Sequence, residues 1–231
     1  MKNKFLITLL LTCAFVLSAC GQTVQDQGNG QLNTEKKKEG LMKKAEFVSA
    51  DEAAKRALKK GDKMPVFNLP NSKNQNISSD ELLEKSNLIV VFYRGAWCPY
   101  CNLYLKRLQN SLSEIKENGG ELVAISVENP DNSLTVAEKN ELQFTVLSDK
   151  KLELARKFNL VYQLDPETDK KYKGFGIDLV KNNGTETPDL PISATYVVDQ
   201  DGNITFAFID PDYKKRLEPN DIILELKKIK K

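Results

Sequence analysis

Apolar positions along this chain change their spacing several times, and each change marks an element. Leu88-Ile89-Val90-Val91-Phe92-Tyr93 is an unbroken run of β-branched and aromatic residues, the pattern of a central strand covered on both faces. Pro99 then stands where a helix can begin, because its missing N–H costs nothing at the first helical position. Leu103, Leu105, Leu108, Leu112 and Ile115 follow at roughly helical spacing, and Asn118-Gly119-Gly120 supplies a stop. The pattern predicts a second buried strand over 122–127, a helix over 134–142, a short strand over 144–147 and a helix over 150–158. Tyr196-Val197-Val198 and residues 204–209 read as two strands joined around Asp201-Gly202, a tight-turn signal. Residues 219–229 close the chain as an amphipathic helix. Strands alternating with helices, then a hairpin and a last helix, predict an α/β fold with a mixed central sheet flanked by helices.

Two stretches fall outside that count. Residues 161–191 are charged and irregular, with Gly174, Gly176, Gly184, Pro188 and Pro191, and an insertion of this kind is expected to act as a lid or binding loop. The N-terminus carries Lys2 and Lys4, an apolar run from Phe5 to Leu17, and then Leu17-Ser18-Ala19-Cys20-Gly21. The order of charged, apolar and small-residue regions is that of a secretory signal. Small residues before a cysteine resemble a bacterial lipoprotein signal, which makes 1–19 a signal peptide and Cys20 the site of lipid attachment. The expected location is then the cell envelope, on the extracytoplasmic or periplasmic face, with the membrane as a partner through the lipid. Residues 21–44 are polar and nearly free of aliphatic side chains, so 20–60 is expected to be a flexible tether, with a short helix possible over 45–60. The folded domain is placed at 61–231.

Charge and cysteine content narrow the chemistry. The 34 basic and 32 acidic residues nearly cancel, which gives no reason to expect nucleic acid as a partner. The chain has no histidine, so Ser-His and Cys-His nucleophile pairs are excluded. Of four cysteines, Cys13 leaves with the signal and Cys20 carries lipid, so only Cys98 and Cys101 stay in the domain. Two thiolates without further cysteine or histidine do not complete a tetrahedral zinc site, and no metal or cofactor is expected.

Cys98-Pro99-Tyr100-Cys101 follows the central strand and opens a helix. Unsatisfied N–H groups and the positive end of the helix dipole favour thiolate there. The spacing puts the second sulfur one turn away, within reach of a disulfide. A structural disulfide is the weaker reading, because so short a loop stabilises little by chain entropy. Arg94 is a candidate for supporting a thiolate or steering substrate, Trp97 for shielding the site, and Tyr100 for donating a hydrogen bond. Arg94 and Tyr100 are also consistent with surface positions. Asp149 is expected to cap a helix, Glu128 to be an exposed turn residue, and Asp210 and Asp212 to shape a turn.

The stretch from Phe92 to Leu103, then Leu190-Pro191-Ile192-Ser193-Ala194-Thr195-Tyr196-Val197-Val198-Asp199, then Phe206-Ala207-Phe208-Ile209-Asp210-Pro211-Asp212-Tyr213, resembles the peroxiredoxin-like branch of the alkyl hydroperoxide reductase/thiol-specific antioxidant family. The resemblance covers about residues 61–231. It implies a thioredoxin-like fold, hydroperoxide as substrate, and a thioredoxin-like dithiol as reductant. Counted from Phe92-Tyr93, Cys101 falls at that family's peroxidatic cysteine and Cys98 at its threonine. Counted from Trp97-Cys98, the motif resembles thioredoxin, with Cys98 as an exposed nucleophile. Ser193 stands where many peroxiredoxins carry arginine. Thiol peroxidase is thus the first expectation. Protein thiol–disulfide exchange is an alternative, and a non-enzymatic lipoprotein binding a soft metal or a partner is another.

Overall fold

A computed structural model describes residues 47–130 and 137–229. The signal, Cys20 and most of the expected tether lie outside the described residues, as does the first part of the helix expected over 134–142. Among the described residues no helix is long and apolar enough to cross a membrane.

The chain first forms helix α1 (Ala50–Arg56). Its start is fixed by a capping box: the Ser49 side chain accepts the Glu52 N–H, and the Glu52 carboxylate accepts the Ser49 N–H at 3.1 Å. Ala53 and Ala57 are buried in the core. Residues 50–57, assigned above to a flexible tether, are therefore part of the folded unit. The short helix expected over 45–60 is present, and Ala53 and Ala57 at helical spacing dock it onto the core.

Strands β1 (Asn68–Pro70) and β2 (Asn76–Ser78) form a small hairpin, followed by α2 (Ser79–Leu83) and the central strand β3 (Asn87–Phe92). Helices α3 (Pro99–Asn110) and α4 (Leu112–Glu117) lead to β4 (Gly120–Ser126) and β5 (Thr145–Ser148). A 3-10 turn over Lys150–Leu152 enters α5 (Glu153–Lys157). Then come β6 (Val161–Gln163), α6 (Pro166–Gly174), α7 (Leu179–Asn183), β7 (Asp189–Pro191), β8 (Ala194–Val198), β9 (Ile204–Ile209) and α8 (Pro219–Ile229).

The main sheet runs β5-β4-β3-β8-β9, with β3 parallel to β4 and antiparallel to β8. Strand β3 lies in the middle, which explains its continuous apolar sequence. Leu88, Val90 and Phe92 point into one core with Val123, Ile125, Leu147, Tyr196 and Val198. Ile89, Val91 and Tyr93 point into the other, with Leu105, Leu108, Ile115, Leu122 and Leu226. The single helix expected from Pro99 to the glycine stop is broken at Ser111 (φ −101°, ψ 4°), where the Ser111 N–H turns back to the Leu108 carbonyl. Gly120 leaves room for three elements to meet at the start of β4: a Cβ there would lie 2.6 Å from Ile89 Cδ1 on β3, 2.7 Å from Leu226 Cδ1 on α8 and 3.1 Å from Ile115 Cγ2 on α4.

The stretch 161–191 is ordered. Strands β6 and β7 pair antiparallel, with α6 and α7 between them. Leu164, Leu179 and Leu190 form a satellite cluster against which Trp97, Tyr162 and Tyr172 pack. The insertion thereby reaches the segment that carries the cysteines.

Candidate active site

The site begins where β3 ends. Gly95 adopts φ +146°, and a Cβ there would lie 2.5 Å from Trp97 Nε1, so this position requires glycine. The Cys98 N–H donates to the Gly95 carbonyl at 3.1 Å, and Cys98 caps α3 with Pro99 at the first helical position. Asn102 closes the loop from the helix side, its Nδ2 donating to the Ala96 carbonyl at 2.8 Å.

Both cysteines are free thiols and both are buried. The sequence reading of Cys98 as an exposed nucleophile is corrected here: it is 1 % exposed, because Trp97 and the aromatic side chains of the insertion extend the core around the helix start. The two sulfurs differ in acidity. The Cys98 thiol is pushed down to about 6, first by a hydrogen bond from the Cys101 thiol, then by the Arg94 charge, the Cys101 N–H and the Arg216 charge, against the opposing effect of burial. Cys101 is pushed well up by burial and by giving its proton to that hydrogen bond. One sulfur is thus held as a thiolate and the other as its donor.

Arg94, left open between site and surface by sequence, is 2 % exposed. It donates to the Tyr172 hydroxyl, and its guanidinium lies 3.9 Å from the Tyr213 ring centroid and 4.9 Å from that of Trp97. Trp97 meets Tyr172 edge-on at 5.5 Å. Tyr100 is 43 % exposed and packs edge-on against Tyr213, as expected of a surface aromatic at the rim.

Sequence reasoning missed Arg216. Its Nη2 lies 3.6 Å from Cys101 Sγ and donates to Ser193 Oγ at 3.1 Å. Nothing in Lys214-Lys215-Arg216 distinguishes this residue from a solvated basic run. Only the turn after β9 brings it inward, shaped by Asp210 accepting the Asp212 N–H and Asp212 accepting the Lys214 N–H. A groove of about 410 Å³ opens beside it, lined by Tyr100, Leu103, Tyr104, Arg107 and Phe208 among others. Tyr162, on β6, is pushed up to about 12, chiefly by burial.

Two acids resolve differently. Asp149 caps a helix as expected, accepting the Leu154 and Ala155 N–H groups at 2.8 Å each. Glu128 is not an exposed turn residue. It is 3 % exposed, and its Oε2 accepts the Ala96 N–H at 2.6 Å. The physical reason is its position just beyond β4, parallel to β3, where the chain end meets the loop that carries the cysteines. Burial pushes its carboxyl up to about 7.

A mixed five-stranded sheet flanked by helices, with a dithiol at the helix start after its central strand, defines a thioredoxin-like redox protein. The AhpC/TSA family model matches residues 60–207, and the chain belongs to that family. It is similar to the bcp protein of Buchnera aphidicola subsp. Schizaphis graminum, 36 % identical over 103 residues that span 45 % of this chain and 65 % of that protein. It is also similar to Peroxiredoxin Bcp of Escherichia coli K12, 27 % identical over 153 residues, 66 % of this chain and 86 % of that one. The crystal structure of Peroxidoxin BcpB from Mycobacterium tuberculosis superimposes with a TM-score of 0.60 at 19 % identity, covering 75 % of this chain and 99 % of that one.

Proposed function

We propose that the protein is a thiol-dependent peroxidase that reduces hydroperoxides through Cys98 and Cys101 and is regenerated by a thioredoxin-like dithiol. The observation that carries this reading is the unequal pair of sulfurs at the start of α3. In a member of the AhpC/TSA family, it supplies both the nucleophile and the resolving group.

The Cys98 thiolate attacks the terminal oxygen of ROOH. The S–O bond forms, the O–O bond breaks, and RO⁻ leaves and takes up a proton as ROH. Cys101 then attacks the sulfenic sulfur, forming the disulfide and releasing water. An external dithiol returns two electrons by exchange, leaving both cysteines reduced and itself oxidised. Arg94 and Arg216 stabilise the thiolate with fixed positive charge. Trp97, Tyr172 and Tyr213 keep water away, and Tyr100 borders the entrance. None of this chemistry needs a metal or cofactor.

The test is mass spectrometry after one equivalent of hydroperoxide, with each cysteine changed to serine in turn. Cys101→Ser accumulates sulfenic acid on Cys98, and Cys98→Ser leaves Cys101 unoxidised over the same time. Rapid oxidation of Cys101 in Cys98→Ser reverses the assignment. No peroxide consumption by the wild-type chain with thioredoxin present removes the peroxidase reading altogether.

We further propose that the mature chain is anchored at the cell envelope through lipid on Cys20. The support is the ordered signal pattern before that residue. Metabolic labelling with an alkyne fatty acid tests it: label on the wild type and none on Cys20→Ala is expected, and equal labelling rejects it.

A further inference from the structure

Helix α3 carries the dithiol at its start and presents one face to solvent. Tyr100, Leu103 and Arg107, three and four positions apart, share that face. With Lys214, Lys215 and Arg216 on the opposite wall, they line the groove of about 410 Å³ described above. Tyr100 is 43 % exposed and Leu103 is 63 % exposed. Single apolar side chains on a surface are ordinary, but two in one groove, edged by charge, fit the pattern of an interaction site. Neither cysteine lines the groove, yet its wall reaches the dithiol through Arg216, whose Nη2 lies 3.6 Å from Cys101 Sγ.

The charge of the groove is one-sided. Its lining holds four cations, Arg107, Lys214, Lys215 and Arg216, and one carboxylate, Glu218. Arg107 pairs with Glu218, and Lys215 pairs with Asp210 at 3.1 Å. Among the described residues Lys214 and Arg216 have no carboxylate partner. Arg216 donates to Ser193 Oγ and to the Tyr213 and Lys215 carbonyls, which do not neutralise it. Lys214 Nζ lies 5.9 Å from the Tyr100 and Tyr213 ring centroids, and the neighbouring Asp212 accepts the Lys214 backbone N–H. Two uncompensated cations beside two exposed apolar side chains suit an acidic segment that carries an apolar residue, and they disfavour a basic one. Both sulfurs are buried, so a large partner cannot hold on by them and needs a surface outside the site. A hydroperoxide has no such need: in the reading above it reacts at Cys98, whereas the groove reaches Cys101.

We propose that this groove is the docking site for the protein dithiol that regenerates the site, and that it takes an acidic segment of that partner with an apolar residue beside the partner's two cysteines. The proposal rests on the dithiol reading above. The partner's carboxylates meet Lys214 and Arg216, and its apolar residue covers Leu103 and Tyr100. With the partner held, one of its thiolates bonds to the Cys98 sulfur and the internal S–S bond breaks. Cys101 leaves as a thiolate beside the Arg216 cation and takes up the proton given up by the partner's second thiol. That second sulfur, now a thiolate, attacks the first partner sulfur, forming the partner's disulfide and freeing the Cys98 thiolate. Two electrons pass from partner to protein, and the total of protons and charge is unchanged.

The test uses the full chain oxidised by diamide, which forms the Cys98–Cys101 disulfide without peroxide. A pair of synthetic Cys-x-x-Cys peptides serves as reductant, one continued by leucine and a run of glutamates, the other by leucine and a run of lysines. The freed Cys98 thiol is alkylated and scored by mass spectrometry. Charge complementarity raises association rates by about 10-fold or more at low salt. The acidic peptide is therefore expected to react at least about tenfold faster than the basic one at about 20 mM salt, with most of that lead gone at about 500 mM. Lys214→Glu should slow the acidic peptide by about tenfold, and Leu103→Ser should do so by a similar factor. Both variants should stay within about twofold of the wild type with dithiothreitol, which is too small to use the groove. Equal rates for the two peptides, or a Lys214→Glu rate equal to the wild type with the acidic peptide, overturn the proposal. Equal peptide rates together with Lys214-dependent binding to phosphatidylglycerol vesicles overturn it in favour of a lipid surface. Docking is also read without chemistry: the acidic peptide with serines for its cysteines, labelled with fluorescein, must bind the wild type more tightly than Lys214→Glu by anisotropy. That measurement decides the matter even if diamide forms no disulfide, and equal binding overturns the proposal. No arm uses peroxide, so a chain that prefers the acidic peptide and consumes no hydroperoxide refutes the peroxidase reading and leaves the docking site standing.

Discussion

Replacing Cys101 by alanine removes the hydrogen bond that contributes most to the acidity of Cys98. In the wild type that group falls from 9.0 to about 6, a difference worth about 4 kcal/mol at 1.36 kcal/mol per unit. A hydrogen bond to a charged acceptor is worth about 1.5–3 kcal/mol, so its loss alone should raise the Cys98 midpoint by about one to two units. At pH 6.5 the thiolate fraction then drops from about three quarters to about a tenth. The rate of alkylation by iodoacetamide, scored on the Cys98 peptide by mass spectrometry, should fall by a similar factor. The difference should vanish by about pH 9, where both proteins are ionised. Cys101→Ser keeps an O–H donor and should stay within about half a unit of the wild type. A Cys101→Ala midpoint equal to the wild-type one would show that the backbone and the two arginines hold the thiolate without its neighbour, refuting the reasoning.

Three other outcomes follow from the same geometry. Arg94→Met removes a buried cation beside the thiolate and its contacts with the Tyr213 and Trp97 rings. The Cys98 midpoint should rise and the denaturation midpoint should fall, and a variant with neither change shows that the charge is screened. Gly120→Ala forces a methyl into the Ile89 and Leu226 side chains and should cost about 1–3 kcal/mol in chemical denaturation without changing the Cys98 midpoint. Glu128, ordinarily ionising at 4.5 and pushed up to about 7, binds its proton more tightly in the folded chain. Its contribution to stability is therefore complete below pH 4.5 and is lost as pH rises to 7, by about 3 kcal/mol in full. Glu128→Gln should flatten the pH dependence in that window, and an unchanged slope there would assign it to other groups.

The order of elements and the dithiol could be read in advance because both are local. A continuous apolar run has one stable use, a strand buried on both faces, and β3 takes it. Proline after a cysteine marks a helix start whatever surrounds it, and α3 begins there. Asp149 was expected to cap because the strand before it and the helix after it leave it that place, and it does. The short helix expected over 45–60 is present as α1, but the sequence does not say that it docks instead of lying in a tether, because that depends on Ala53 and Ala57 meeting a core built from distant residues.

The amino-acid sequence by itself determined the sheet's centre, the helix that follows it and the two sulfurs at their junction, since each depends on residues a few positions apart. The tertiary structure decided which sulfur is acidic, that both are buried, that the Arg94 and Arg216 charges act on them, and that Glu128 holds the loop before Cys98. Charge and desolvation act through space: Glu128 meets Ala96 and Arg216 meets Cys101 across 32 and 115 positions of chain, and no periodicity encodes such a meeting.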